Sequence, residues 1–142
     1  MALNVIVVDD SAVMRAMIIK TLRLSGISFD NIYEAANGEE GLKELKENWI
    51  DFALVDINMP VMNGEEMIDS VRKDEELADL AIIVISTESS ETRIEMLEKK
   101  GVGFVHKPFT PETLRDVIIK LTGVSDEQQF GVGTFEGGGP DF

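Results

Sequence analysis

Short apolar runs recur along the chain at residues 3–8, 52–57, 81–85 and 102–105. Each has strand length, is rich in Val, Ile or Phe, and shows no regular alternation with polar residues. Such runs predict strands buried on both faces, as in a parallel sheet. A weaker strand reads at 31–35. Amphipathic stretches lie between them. Met14, Met17, Ile18 and Leu22 share one helical stripe that Gly26 can end in a left-handed turn. Asn37, with Glu40 three residues on, opens a second helix reaching about Asn48. A third spans 64–73 with Met67, Ile68 and Val71 on one side. Ser89 or Ser90 caps a fourth, which holds Ile94 and Leu97 and stops at Gly101. Thr110-Pro111-Glu112 is a cap, a proline at the first helical position and an acid at the positive dipole end. From there Leu114, Val117, Ile118 and Leu121 repeat at helical spacing to Gly123. Five strands alternating with five helices predict an α/β doubly wound parallel sheet over residues 1–122, with helices on both faces.

Residues 123–142 differ. Gly131, Gly133 and Gly137 to Gly139 break any helix, four acids stand without a base, and Phe130, Phe135 and Phe142 are the notable apolar residues. This composition predicts a mobile acidic Gly/Phe-rich tail. An alternative places its aromatic residues on the face formed by the fourth and fifth helices.

The length, 142 residues, suits one domain. At 44% hydrophobic and 28% charged the chain can build a core. The net charge of −14, with a pI near 4.3, argues against nucleic acid or an anionic membrane as direct ligand. No apolar run approaches membrane-spanning length, and the first residues lack a secretory pattern, so the expected location is cytoplasmic. The absence of cysteine excludes disulfides, thiolate metal sites and thiol catalysis. A single histidine, His106, leaves little material for a zinc site or a Ser-His-Asp triad.

In an open parallel sheet, ligands bind beyond the carboxyl ends of the strands. The polar residues following the apolar runs are Asp9 and Asp10, Asp56, Ser86 and Thr87, and Lys107. Each has a plain structural use. Asp10 or Ser11 can cap the first helix, Ser86 and Thr87 can end a strand, and Lys107 can be a solvated charge. Asp56 is harder to place so, because it interrupts a run suited to full burial. Three carboxylates at one edge repel and lose solvation unless a cation joins them. A set of oxygen donors favours a hard ion that keeps some waters, Mg²⁺ before Ca²⁺. The chemistry that fits is phosphoryl transfer to a carboxylate: Asp56 as nucleophile, Asp9 and Asp10 holding the metal, Lys107 and the Ser86 hydroxyl on the phosphoryl oxygens.

Val7-Val8-Asp9-Asp10-Ser11, Asp56-Ile57-Asn58-Met59-Pro60-Val61-Met62-Asn63-Gly64, Ile85-Ser86-Thr87-Glu88 and Lys107-Pro108-Phe109 together resemble the response-regulator receiver domain, most closely its stand-alone chemotaxis members. The resemblance covers residues 1–122. It implies a flavodoxin-like strand order of 2-1-3-4-5 and a phosphoacceptor Asp56 served by a phosphohistidine of a sensor histidine kinase. It also implies Mg²⁺ on Asp10, Asp56 and the main-chain carbonyl of Asn58, with Asp9 close by. Ser86 becomes the switch hydroxyl, Lys107 the phosphate-binding lysine before a cis proline bond, and Phe104 the aromatic that reports activation. The implied output is phosphorylation-dependent binding of a partner such as a flagellar switch protein, with a phosphatase as a further partner. The protein would be a monomer and no enzyme beyond its own phosphorylation and dephosphorylation. A phosphate sink or phosphorelay intermediate is the alternative within the family. An aspartyl phosphatase is disfavoured because its nucleophile and acid stand two residues apart, whereas Asp9 and Asp10 are adjacent. A flavodoxin-like electron carrier is disfavoured because those acids would repel a flavin phosphate.

Thr87 departs from the family pattern, which has Ala or Gly there, and its bulk narrows the approach to the phosphoryl group. The stretch from Ser86 to Phe104 is about one residue short, and the tail has no counterpart. Alternation points His106 away from Lys107, as a surface residue. Trp49 is expected to pack where the second helix turns into the third strand. The methionines are expected to be mainly core fillers, with Met59 and Met62 lining the site entrance.

Overall fold

In the central strands, neighbouring residues face opposite sides of the sheet, and both sides are covered. In the computed structural model, which describes residues 2–123, the order is β1 Leu3–Val8, α1 Ala12–Leu24, β2 Phe29–Ala35, α2 Gly38–Glu47, β3 Phe52–Val55, α3 Gly64–Lys73, β4 Ala81–Ser86, α4 Glu91–Glu98, β5 Gly103–His106 and α5 Pro111–Thr122. The tail from 124 onward lies outside the described residues.

The five strands form one sheet in the order β2-β1-β3-β4-β5, all pairings parallel. Val5, Val7, Phe52, Leu54, Ile83 and Ile85 point to one side, where Ile18 and Leu22 of α1 and Leu114 and Ile118 of α5 cover them. Ile6, Val8, Ala53, Val55, Ile82 and Val84 point to the other, beneath α2, α3 and α4. Burying apolar area on both faces at about 25 cal/mol per Å² is what makes uninterrupted Val and Ile runs favourable here. The two edge strands are less covered. β2 exposes Asp30, Asn31 and Glu34 and begins at Phe29, two residues before the strand expected at 31–35. Its polar positions are tolerated because one side of an edge strand meets solvent.

The helix starts follow their caps. Ser11, not Asp10, caps α1 by accepting from the Met14 amide at 3.1 Å. Asn37 and Ser90 cap α2 and α4, and Asn63 with Glu66 forms a full capping box on α3. Thr110 caps α5, with Pro111 at its first turn and Gly123 left-handed at its end.

Several side chains depart from expectation. Trp49 is 80% exposed rather than packed between α2 and β3. Met17 is exposed, since only Ile18 and Leu22 of the α1 stripe sit squarely on the sheet. Among the described methionines Met67 alone is fully buried. Met14, Met59 and Met62 are half-buried, and Met96 is exposed.

Candidate functional site

The chain crosses from β1 to β2 on one side and to β3 on the other, so the carboxyl ends of β1 and β3 flank the point where strand order reverses. Backbone ladders run one residue past the strand ends there. The Asp9 amide donates to the Ala35 carbonyl at 3.0 Å, the Asp56 amide to Val8 at 2.9 Å and the Lys107 amide to Ser86 at 2.8 Å. Sheet geometry therefore fixes the backbone of two acids and one amine on a single edge.

Their side chains meet. One carboxylate oxygen from each of Asp9, Asp10 and Asp56 lies within 4.8 Å of the others. The Lys107 ammonium stands 3.8 Å from Asp56 Oδ1 and 3.9 Å from Asp9 Oδ2. Its side chain is only 18% exposed, so it is not the solvated charge that one reading of the sequence allowed. These separations are ion-pair contacts, too long for hydrogen bonds.

Asp9 is the buried member. Its Oδ1 accepts from the Ser11 amide at 2.9 Å, while Oδ2 is buried without a hydrogen-bond partner. Burial raises the Asp9 carboxyl above its ordinary value; the Ser11 hydrogen bond and Lys107 offset part of the rise, and Asp10 adds to it. Asp56 is also raised, first by burial, with Lys107 opposing and Asp9 and Asp10 reinforcing. Three carboxylates facing one ammonium, one oxygen buried and unsatisfied, form an all-oxygen donor set that suits a hard divalent cation.

The other candidates are arranged around this group. Ser86 ends β4 between β3 and β5, buried, with its Oγ accepting from the Glu88 amide at 3.0 Å. Thr87 is exposed. Asn58 is exposed on the loop after Asp56. Phe104 is half-buried on β5 against the α2–α4 side of the core, its ring 6.5 Å from that of His106. His106 is exposed, and the Lys107–Pro108 peptide is cis. Met59 and Met62 pack onto the α2–α3 core rather than standing free at an entrance.

Sequence reasoning passed over three residues that shape the site. Arg15 donates to the Asp9 carbonyl at 2.6 Å and to Glu34 at 2.8 Å, tying α1 to the β1 end. Gly64 donates its amide to the Ile57 carbonyl at 2.9 Å, and any Cβ there would run into the Asp56 carbonyl. Val61 has φ +66°, a left-handed conformation rare for a β-branched residue. The Asn63-Gly64 pair with Glu66 was the readable signal for Gly64; nothing local announced the other two.

Known proteins resemble this chain in sequence and fold. Residues 5–119 match the family model described as the response regulator receiver domain. The chain is 35% identical over 120 residues to chemotaxis protein CheY-3 of Vibrio cholerae, an alignment covering 84% of this chain and 91% of that protein. The structure resembles that of chemotaxis protein CheY4 of Vibrio cholerae, with TM-score 0.75 and 32% identity, over 85% of this chain and 99% of that one. In fold it also resembles the receiver domain of a Pseudomonas aeruginosa sensor histidine kinase, which carries a magnesium ion in its active-site cleft. There the TM-score is 0.75 and the identity 21%, over 87% of this chain and 100% of that one.

Proposed function

The chain belongs to the response regulator receiver domain family, and on that premise we propose that Asp56 accepts a phosphoryl group from a phosphohistidine of a sensor histidine kinase. The observation that carries this reading is the Lys107 ammonium, held between the Asp56 and Asp9 carboxylates at 3.8 and 3.9 Å where the strand order reverses.

An Asp56 oxygen attacks phosphorus. The new P–O bond forms as the donor P–N bond breaks, and the bonding pair leaves on the histidine nitrogen. Lys107 opposes the effect of burial on Asp56, which favours the ionised nucleophile, and offers charge to the phosphoryl oxygens. Asp9, Asp10 and Asp56, with the main-chain carbonyl of Asn58, would hold Mg²⁺, and Asp9 Oδ2, buried without a hydrogen bond, fits that role. When bound, Mg²⁺ supplies the positive charge that lets three carboxylates and a phosphoryl group share one small space.

Ser86 Oγ is an acceptor from Glu88, so its proton remains to be donated to a phosphoryl oxygen. Drawing the Ser86–Glu88 backbone toward the phosphoryl group frees room for Phe104 to turn inward, which alters the surface of α4, β5 and α5. Thr87 narrows the approach. The output is protein contact and not turnover of an outside substrate. The likeness to chemotaxis proteins supports a role in chemotaxis or flagellar motor control, with a chemotaxis-type kinase upstream and a flagellar switch protein as target.

Acetyl phosphate with Mg²⁺ tests this reading. Intact-mass measurement should show one added phosphoryl group on the parent and none on Asp56→Asn. Ser86→Ala should still take up phosphate, while amide NMR shifts around Phe104 and α4 shrink. Phosphate arriving on Asp56→Asn as fast as on the parent would overturn the assignment of the nucleophile.

A further inference from the structure

Three of the six large apolar side chains exposed among the described residues, Val13, Met17 and Leu24, stand on α1. Helical spacing aligns positions 13, 17, 20 and 24 along one stripe, and Lys20 stands exposed within it. In a protein of net charge −14, α1 carries Arg15, Lys20 and Arg23 and no acid. Arg15 is engaged by Glu34 and the Asp9 carbonyl, whereas Lys20 and Arg23 are exposed. At the site end, this stripe meets a pocket of about 310 Å³. Met14, Met17 and Thr21 line one side and Thr87, Pro108 and Phe109 the other, with Lys107 the one charged residue.

The segment 124–142 has the matching chemistry. It holds Asp126, Glu127, Glu136 and Asp141, no Lys or Arg, and Phe130, Phe135 and Phe142. It also begins in the right place. Leu121 near the end of α5 lies against Gly103 at the start of β5, and Ser28, just past α1, bonds Leu3 at the start of β1. Both helices therefore finish at the sheet edge opposite the phosphoacceptor. Running back along α1 covers ~20 Å for its 13 residues at ~1.5 Å each. Seven extended residues from Gly123 span ~23 Å, which brings Phe130 to the pocket. Asp126 and Glu127 then fall along the stretch that carries Lys20 and Arg23.

From this match of charge, apolar pattern and reach, we infer that segment 124–142 docks on the α1 stripe, with the Phe130 ring in the pocket beside Thr87 and Lys107. The surface of α4 is the poorer host, because Glu91, Glu95 and Glu98 are exposed there and would repel an acidic segment. The inference goes beyond the phosphoacceptor role and stands without it. Tethering offsets the cost of ordering a glycine-rich segment, since the local concentration of a linked segment is on the order of millimolar. A partner that uses the α1 stripe must displace the docked segment.

The chain has no cysteine, so Gly133→Cys gives a single position for a nitroxide label. In the full-length labelled protein, amides of α1 and of residues 107–109 should broaden roughly threefold more than those of α4. Phe130→Ala should abolish the difference, and raising NaCl should reduce it. Even broadening, or broadening centred on α4, would overturn the docking. Mixing the labelled protein with unlabelled ¹⁵N protein detects contact between copies. Broadening in that mixture equal to that in the single sample would make a second chain the donor of the segment and would also overturn it.

Discussion

Asp9 and Asp56 are acids placed where ionisation is costly, and the cost has a direction in pH. Burial raises both carboxyls above the ordinary value of 3.8, and Lys107 offsets only part of it. The unfolded chain therefore gives up these protons at lower pH than the folded one. Without metal, their contribution to stability is fully present below 3.8 and is lost as pH rises through the raised folded values. Asp56→Asn should flatten that fall and stabilise the metal-free protein at neutral pH, each pKa unit of the rise being worth about 1.4 kcal/mol. Urea unfolding across the acid range checks this; an unchanged slope would contradict it. Val61 holds a different strain. Its φ of +66° costs a β-branched residue roughly 1–2 kcal/mol, while glycine's extra chain entropy costs about 0.5–1. The side chain is 74% exposed and loses little packing, so Val61→Gly should gain roughly 0.5–1 kcal/mol by thermal unfolding. The crowding of these acids was legible in the sequence, but its distribution among them and the strain at Val61 were not. Adjacent acids do not reveal which one sheet geometry buries, and nothing beside Val61 marks a positive φ.

Elements were easier to read than their contacts. The β1, β3 and β4 runs were plain because strands covered on both faces must be apolar throughout, and the caps at Asn37 and Thr110 marked helix starts through a local mechanism. The first two residues of β2, Phe29 and Asp30, were missed because exposed Asp30 and Asn31 separate Phe29 from the apolar residues that follow. Trp49 and Met17 were misplaced because hydrophobic character favours burial without enforcing it. Arg72 on α3 was invisible for another reason: its partners are main-chain carbonyls. It donates to Ala78 at 3.1 Å, Leu80 at 2.8 Å, Lys100 at 2.8 Å and Gly101 at 3.0 Å, joining the end of α4 to the approach to β4. Arg72→Ala would leave several of these half-buried acceptors unpaired, at about 1 kcal/mol or more apiece, so a loss of roughly 2–4 kcal/mol is expected. Arg72→Lys should recover only a small part, because one ammonium cannot span carbonyls that a planar fork reaches. Urea denaturation of both variants measures this; full rescue by lysine would show that charge, not geometry, matters at Arg72.

Across the whole molecule, a net charge of −14 works against the compact state, and the acidic site is one local part of that repulsion. The two contributions respond differently to ions. Sodium chloride screens exposed charges everywhere, with a Debye length falling from about 10 Å at 0.1 M to about 3 Å at 1 M. It should therefore raise the Tm of the parent and of Asp10→Asn by similar amounts. Mg²⁺ at matched ionic strength can add stability only by binding the folded state more tightly than the unfolded one, about 2.7 kcal/mol at a hundred times its Kd. That increment depends on three carboxylate oxygens within 4.8 Å of one another, brought together by β1 and β3. Asp10 is the exposed member of the three and can lose its charge without a buried vacancy, so Asp10→Asn removes a ligand while sparing the core. The expected result is a salt response shared by both proteins and a Mg²⁺ response confined to the parent. If Mg²⁺ stabilised Asp10→Asn equally, the divalent effect would be general screening of an acidic surface. The convergence of the three acids would then be a consequence of strand topology alone.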